Sequence, residues 1–240
     1  MTDSRAVDLA ANLSQVRARV DAACAAAGRD PASVSLIVVS KTWPADDVRR
    51  LADLGVRDFG ENRDQEAAPK AAATSDLDLR WHFVGQLQTN KAASVARYAD
   101  LVHSVDRDSL VTALERGAAK AGRSIGCLIE VDLTDGATGR GGASPADVPR
   151  LADLIAGCDH LDLRGVMGVA PLAEEVGDQR AVSARAFAHL ADVSEALRQA
   201  YPDANFISAG MSEDLEEAVT AGATHLRVGS AVLGTRPPLG

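Results

Sequence analysis

Aromatic side chains are scarce in this chain. Four Phe, two Trp and two Tyr make up 3% of 240 residues. A core must therefore be built from Ala, Val, Leu and Ile, and little is left for stacking on nucleobases. Basic charge is also in deficit, with 25 Lys and Arg against 34 Asp and Glu for a net charge of −9. Such a surface repels nucleic-acid phosphates and anionic membranes. Cysteine is limited to Cys24, Cys127 and Cys158, an odd number without CxxC spacing. That pattern argues against a disulfide framework or a structural zinc site and fits a reducing compartment. No apolar run is long enough to cross a bilayer. The N-terminus, Met1-Thr-Asp-Ser-Arg, lacks the basic segment and apolar run of a signal peptide. These absences predict an acidic cytoplasmic protein with no nucleic-acid, membrane or metal partner.

What is present is a regular alternation. After a helical opening from about Ala6 to Ala27, eight short apolar runs follow: Ser35–Ser40, Asp58–Gly60, His82–Gly85, Leu101–Ser104, Gly126–Asp132, Leu163–Gly168, Phe206–Ser208 and Leu226–Gly229. Segments with helical spacing separate most of them, such as Pro44–Leu54, Ser109–Ala121, Pro145–Ile155 and Arg180–Ala200. Strands alternating with helices imply a parallel sheet, because parallel neighbours need a crossover. Eight such units predict an α/β fold, a (β/α)8 TIM barrel with an extra N-terminal helix, as one domain over residues 1–240. A doubly wound sheet is the competing arrangement, but it rarely needs eight evenly spaced strands. The glycine-rich stretch Thr134–Ser144 is expected to be a mobile loop at the barrel mouth.

In a barrel, chemistry sits where strands end. The first run leads directly into Lys41. An inward lysine there is costly to charge, which leaves a nucleophilic amine for an aldehyde; the alternative is a lysine snorkelling on a loop. Runs seven and eight close in Ser208-Ala-Gly-Met-Ser212 and Gly229-Ser230-Ala231, small-residue turns that enter helices. Their free backbone N–H groups suit an anion, and loops after strands seven and eight are the recurrent phosphate site of this fold. Ordinary capping by Ser212 is the plainer alternative. A Schiff-base lysine facing a phosphate rim points to a phosphorylated aldehyde, and pyridoxal 5′-phosphate carries both groups. Glu61, Asn62, His82, Ser104 and Met167 are expected to face the same mouth, with Arg227 able to reach the cofactor ring. His82 as a hydrogen-bonded core residue and Asn62 as a cap are the competing readings.

Together, Val39-Ser-Lys41-Thr, Phe59-Gly-Glu-Asn-Arg-Asp-Gln-Glu66, Trp81-His-Phe-Val-Gly-Gln-Leu-Gln-Thr-Asn-Lys91, His103-Ser-Val-Asp106, Arg164-Gly-Val-Met-Gly168, Ser208-Ala-Gly-Met-Ser212 and Leu226-Arg-Val-Gly-Ser-Ala-Val-Leu-Gly234 resemble the pyridoxal phosphate homeostasis family, barrel proteins similar to the N-terminal domain of alanine racemase. The resemblance covers nearly the whole chain. It implies that Lys41 forms the internal aldimine and that Asn62 and His82 line the cofactor. It also implies that Ser208, Gly229 and Ser230 hold the phosphate, while Arg227 faces the pyridine nitrogen. Vitamin B6 homeostasis, exchange with apo enzymes that need the cofactor, and a monomeric state are the corresponding expectations. Trp43 stands where the family often has a second lysine, Arg63 where it often has tyrosine, and Arg140 near a lysine position of its glycine-rich loop.

An amino-acid racemase is the rival function. Two-base racemisation needs a second base, a tyrosine in alanine racemase, and Tyr98 and Tyr201 both fall at helix ends away from the mouth. A Schiff-base aldolase is a further rival, with its lysine usually on a later strand. A carrier without dedicated catalysis is the expected role.

Overall fold

The computed structural model describes residues 3–134, 141–173 and 179–235. Eight parallel strands close into a barrel in sequence order: β1 (Ser35–Val39), β2 (Asp58–Glu61), β3 (Arg80–Phe83), β4 (Leu101–Val105), β5 (Ile125–Glu130), β6 (Leu161–Met167), β7 (Phe206–Ser208) and β8 (His225–Val228). Helices α1 (Ser4–Ala26), α2 (Ala45–Asp53), α3 (Asp64–Ala73), α4 (Ala92–Val95), α5 (Asp108–Ala121), α6 (Val148–Ala156), α7 (Gln179–Ala200), α8 (Leu215–Thr220) and α9 (Ser230–Leu233) surround it. The predicted barrel and its leading helix are both present.

Helix α1 buries Leu9, Leu13, Val16, Val20 and Cys24, positions three and four apart that fall on one face. Asp3 caps it by accepting from the amides of Arg5 and Ala6. The helix then ties down the loops that follow the last two strands. Arg19 binds Glu216 at 2.8 Å and the Ser212 carbonyl at 3.0 Å. Asn12 and Arg5 donate to the carbonyls of Val232 and Leu233, each at 3.0 Å. The added helix is thus a clamp on the mouth of the barrel.

Strand boundaries differ from the apolar runs where polar residues enter the barrel. β3 starts at Arg80 and ends at Phe83 instead of covering His82–Gly85, and β8 starts at His225. In β6, the register shifts by one residue, so that Cys127 pairs with Leu163 but Leu128 pairs with Gly165. Gly165 has φ 144°, and a Cβ there would lie 2.0 Å from the Phe206 carbonyl oxygen, so only glycine fits this bulge. Residues 135–140 of the glycine-rich stretch, including Arg140, lie outside the described residues. Its end is anchored, with the Ala143 amide donating to the Glu130 carbonyl at 2.7 Å. No described helix is long and apolar enough to cross a membrane.

Candidate functional site

The segment carrying Lys41 is held from both sides by α3. Lys70 donates to the Ser40 carbonyl at 2.8 Å and forms a buried ion pair with Glu61, whose Oε1 also accepts from Ser40 Oγ at 2.7 Å. Burial pushes the Glu61 carboxyl above its ordinary range, against the opposing pull of Lys70. One residue beyond Lys41, Glu66 accepts from the Thr42 amide at 2.7 Å. Thr42 has φ 69°, a left-handed conformation that a β-branched residue rarely adopts and that the surrounding contacts must enforce. The backbone of Lys41 is thereby fixed, while its side chain is exposed. Lys41 makes no hydrogen bond or ion pair among the described residues. Of the two placements the sequence allowed, a desolvated strand end and an exposed loop, Lys41 takes the exposed one, at an open rim.

Two adjoining cavities of about 490 and 270 Å³ share Lys41, Asn62, Gly229 and Ser230, and Arg227 lines the larger. Five of the sequence-predicted positions therefore meet at the mouth. Asn62 is supported by a close approach of backbone, since a Cβ on Gly85 would fall 2.4 Å from the Asn62 carbonyl oxygen. The Ser230 hydroxyl donates to Ser212 Oγ at 3.1 Å, which also accepts from the Ala231 amide at 3.2 Å. The loops after β7 and β8 are thus joined. The Gly229 and Ser230 amides have no acceptor among the described residues. Since α9 spans four residues, these local donors, and not a helix dipole, are what the site offers an anion.

His82, Met167 and Ser208 are not among the residues lining this cavity. His82 is buried, its ring joined to Asp58 at 2.9 Å and to His103 at 3.0 Å. It also lines a cavity of about 700 Å³ at the opposite pole, with Arg80, Arg164, Phe206 and His225. Met167 is buried in the sheet between Glu130 and Ser208. Ser208 Oγ accepts from Arg227 at 2.6 Å and lies 2.9 Å from His103 Nδ1. Glu61 and Ser104, expected at the mouth, have the opposite strand parity; Glu61 reaches out to Lys70 on α3. Neither tyrosine lines the mouth: Tyr98 reaches Asp64 at 3.5 Å and Tyr201 bonds Asp153.

Around Arg227, which sequence reasoning did find, lie interior groups that it missed: Glu130, His103 and His225. Arg227 is buried, and a second nitrogen of its guanidinium donates to the Gly168 carbonyl at 2.9 Å. Burial lowers its pKa to about 10, opposed by the charge of Glu130, so it is a cation at neutral pH. Burial raises Glu130 to about 7, with Asp106 adding to the rise and Arg227 opposing it. His103 is fully buried, and that burial holds its pKa well below the ordinary value. His225 is lowered to about 4, again mainly by burial. Counting back by twos from Asn62, Val84 and Gly229 reaches Asp58, His82, Arg80, Arg227 and His225, because strand residues two apart share a face, but it does not reach His103 on β4 or Glu130 on β5.

Residues 9–237 match the family model described as alanine racemase, N-terminal domain. The pyridoxal phosphate homeostasis protein of Pseudomonas aeruginosa is 40% identical over 228 residues, covering 95% of this chain and 96% of the relative. That of Escherichia coli is 37% identical over 238 residues, covering 95% and 97%. Among solved structures, PipY of Synechococcus elongatus with PLP bound aligns with a TM-score of 0.78 at 35% identity, covering 94% of this chain and all of that one. Alanine racemase from Streptomyces coelicolor aligns at 0.68 and 22% identity, with 59% of its chain covered, a likeness of fold.

Proposed function

The chain belongs to the alanine racemase N-terminal domain family, and from that premise we propose that it binds pyridoxal 5′-phosphate through Lys41 and acts in cofactor homeostasis as a carrier or regulator. The reading is carried by one observation, the convergence of Lys41, Arg227 and the Gly229–Ser230 turn on a single cavity system. Relatives at about this level of identity bear the homeostasis name, and PipY binds PLP in its crystal structure.

The residues fit the group. When bound, pyridoxal phosphate supplies an aldehyde carbon, a phosphate anion and a pyridine nitrogen. Lys41 provides the amine for the covalent link to that carbon, with water as the other product. The Gly229 and Ser230 amides hold the phosphate, and a Cβ on Gly229 would come within 3.3 Å of the Val39 carbonyl oxygen, so the turn is closely packed against β1. Asn62 borders the cofactor at the Lys41 side. Arg227 stands opposite the pyridine nitrogen. A guanidinium does not give up its proton readily, so that nitrogen stays unprotonated and the ring is a poor electron sink. His82 and Ser208 act from behind Arg227, and Met167 is buried on the strand beside Ser208.

Neither Tyr98 nor Tyr201 lines the mouth to serve as a second base, which suits a carrier better than a racemase. We further infer that residues 1–240 act as one barrel domain, that the protein works in the cytoplasm as a monomer, and that apo enzymes requiring the cofactor receive it. An absorption spectrum of the protein incubated with pyridoxal phosphate and freed of unbound cofactor by gel filtration tests the binding: a visible band is expected, bleached by borohydride and missing in Lys41→Ala. A Lys41→Ala variant that keeps the band would refute the assignment. Sustained, Lys41-dependent racemisation across an amino-acid panel would overturn the carrier role.

A further inference from the structure

Five polar side chains from five strands form one continuous hydrogen-bonded row through the barrel. Asp58 Oδ1 lies 2.9 Å from His82 Nε2, and His82 Nδ1 lies 3.0 Å from His103 Nε2. His103 Nδ1 lies 2.9 Å from Ser208 Oγ, which accepts from Arg227 at 2.6 Å. The contact between His103 on β4 and Ser208 on β7 crosses the barrel, since these strands are not neighbours.

The chemistry of the two ends dictates the direction of every bond. Arg227 has only donors and an ionised Asp58 only acceptors. Arg80 binds the other Asp58 oxygen at 2.6 Å, and although burial opposes it, hydrogen bonds from His82 and Arg80 hold the Asp58 carboxyl below its ordinary range. His82 Nε2 must then carry hydrogen. Where His82 carries no second hydrogen, its Nδ1 accepts from His103 Nε2–H. His103, with one hydrogen, leaves its own Nδ1 bare to accept from the Ser208 hydroxyl. Ser208 Oγ keeps its lone pairs for Arg227. Each middle member donates once and accepts from one neighbour. In the opposite arrangement, His103 would donate to Ser208, and the Ser208 hydrogen would have no acceptor among the described residues.

We propose that His82 and His103, anchored on Asp58, are positioning residues for Arg227: by taking the Ser208 hydrogen they leave its oxygen a pure acceptor, which holds the guanidinium at the mouth with its remaining N–H groups free for the ligand. The ligand part of this inference rests on the pyridoxal phosphate reading; the bond directions do not. Other charged or titratable groups near the row are Arg80 on β3, His225 on β8, 6.4 Å from His82 between ring centroids, and Glu130 on β5.

Nitrogen-15 histidine spectra of the cofactor-free protein test the directions. Hydrogen on Nε2 and none on Nδ1 is expected for both His82 and His103; hydrogen on His103 Nδ1 would overturn the proposal. The pH midpoint of the visible band of protein loaded with pyridoxal phosphate tests the coupling. His103→Leu should move it by about one pH unit, a tenfold change in proton concentration. His103→Gln, which retains a donor toward His82 and an acceptor toward Ser208, should restore most of the wild-type value. If circular dichroism shows His103→Leu unfolded, Ser208→Ala replaces it, with the same shift expected. An unmoved midpoint in the folded variant overturns the proposal. A wild-type protein with no band at all instead refutes the cofactor reading and leaves the histidine spectra to decide the row.

Discussion

Arg227 and Ser208 sit on neighbouring strands, and a 2.6 Å hydrogen bond carries the guanidinium onto the hydroxyl while its other branch reaches the Gly168 carbonyl. The cation is buried without a carboxylate in contact, stabilised by two neutral oxygens and by Glu130 at longer range. Such an arrangement holds a charge in place but leaves it unsatisfied, which is how a ligand-facing group differs from one that locks a fold.

Arg227→Leu therefore separates the two roles. Loss of both hydrogen bonds leaves buried acceptors unpaired, and urea unfolding of the cofactor-free protein should show a loss of about 1–3 kcal/mol. Cofactor retention on dialysis should fall as well.

The Lys70–Glu61 pair behind Lys41 is buried on the outer face of the barrel. Lys70→Met strands a buried carboxylate and should cost about 3–5 kcal/mol in urea unfolding. The double variant Lys70→Met, Glu61→Gln should recover a large part of that loss. Equal stability of the single and double variants would contradict the pairing.

Glu130 has its pKa raised from 4.5 to about 7 by burial. A carboxyl with a raised folded pKa binds its proton more tightly in the native state, so its contribution is full below the unfolded value and is lost as pH rises through the folded one. Native stability should decline by up to about 3 kcal/mol from this group between about pH 4.5 and 7. Glu130→Gln should flatten that part of the unfolding profile; an unchanged slope would rule the contribution out.

Gly85→Ala tests how Asn62 is placed. The added carbon would meet the Asn62 carbonyl at 2.4 Å and its Cα at 2.8 Å, so the residue 62 backbone must shift. A destabilisation of about 1–3 kcal/mol is expected, together with weaker cofactor binding, measured by equilibrium dialysis. Unchanged binding would show that Asn62 tolerates displacement.

The mouth was legible in the sequence because strand ends announce themselves: Lys41 follows five residues of β1, and Gly229-Ser230 follows β8. The interior was harder to read. A barrel core is expected to be branched and apolar, so the polar starts of β3 and β8 at Arg80 and His225 were left out of the apolar runs. His82 was then assigned to the start of a later run and to the mouth. The His103–Ser208 contact joins residues 105 positions apart, which no local spacing can reveal. The bulge at Gly165 shifts the register of β6 by one residue, and nothing in the letters of β6 marks it.

The lower cavity adds a consequence of its own. Asp58 and His82 border it, so the polar row that begins at Arg227 ends at a second cavity at the far pole. A cofactor seated in the mouth stoppers only one end of this conduit. Deuterium exchange at the His82 ring, which borders that cavity, should therefore continue while the upper door is shut.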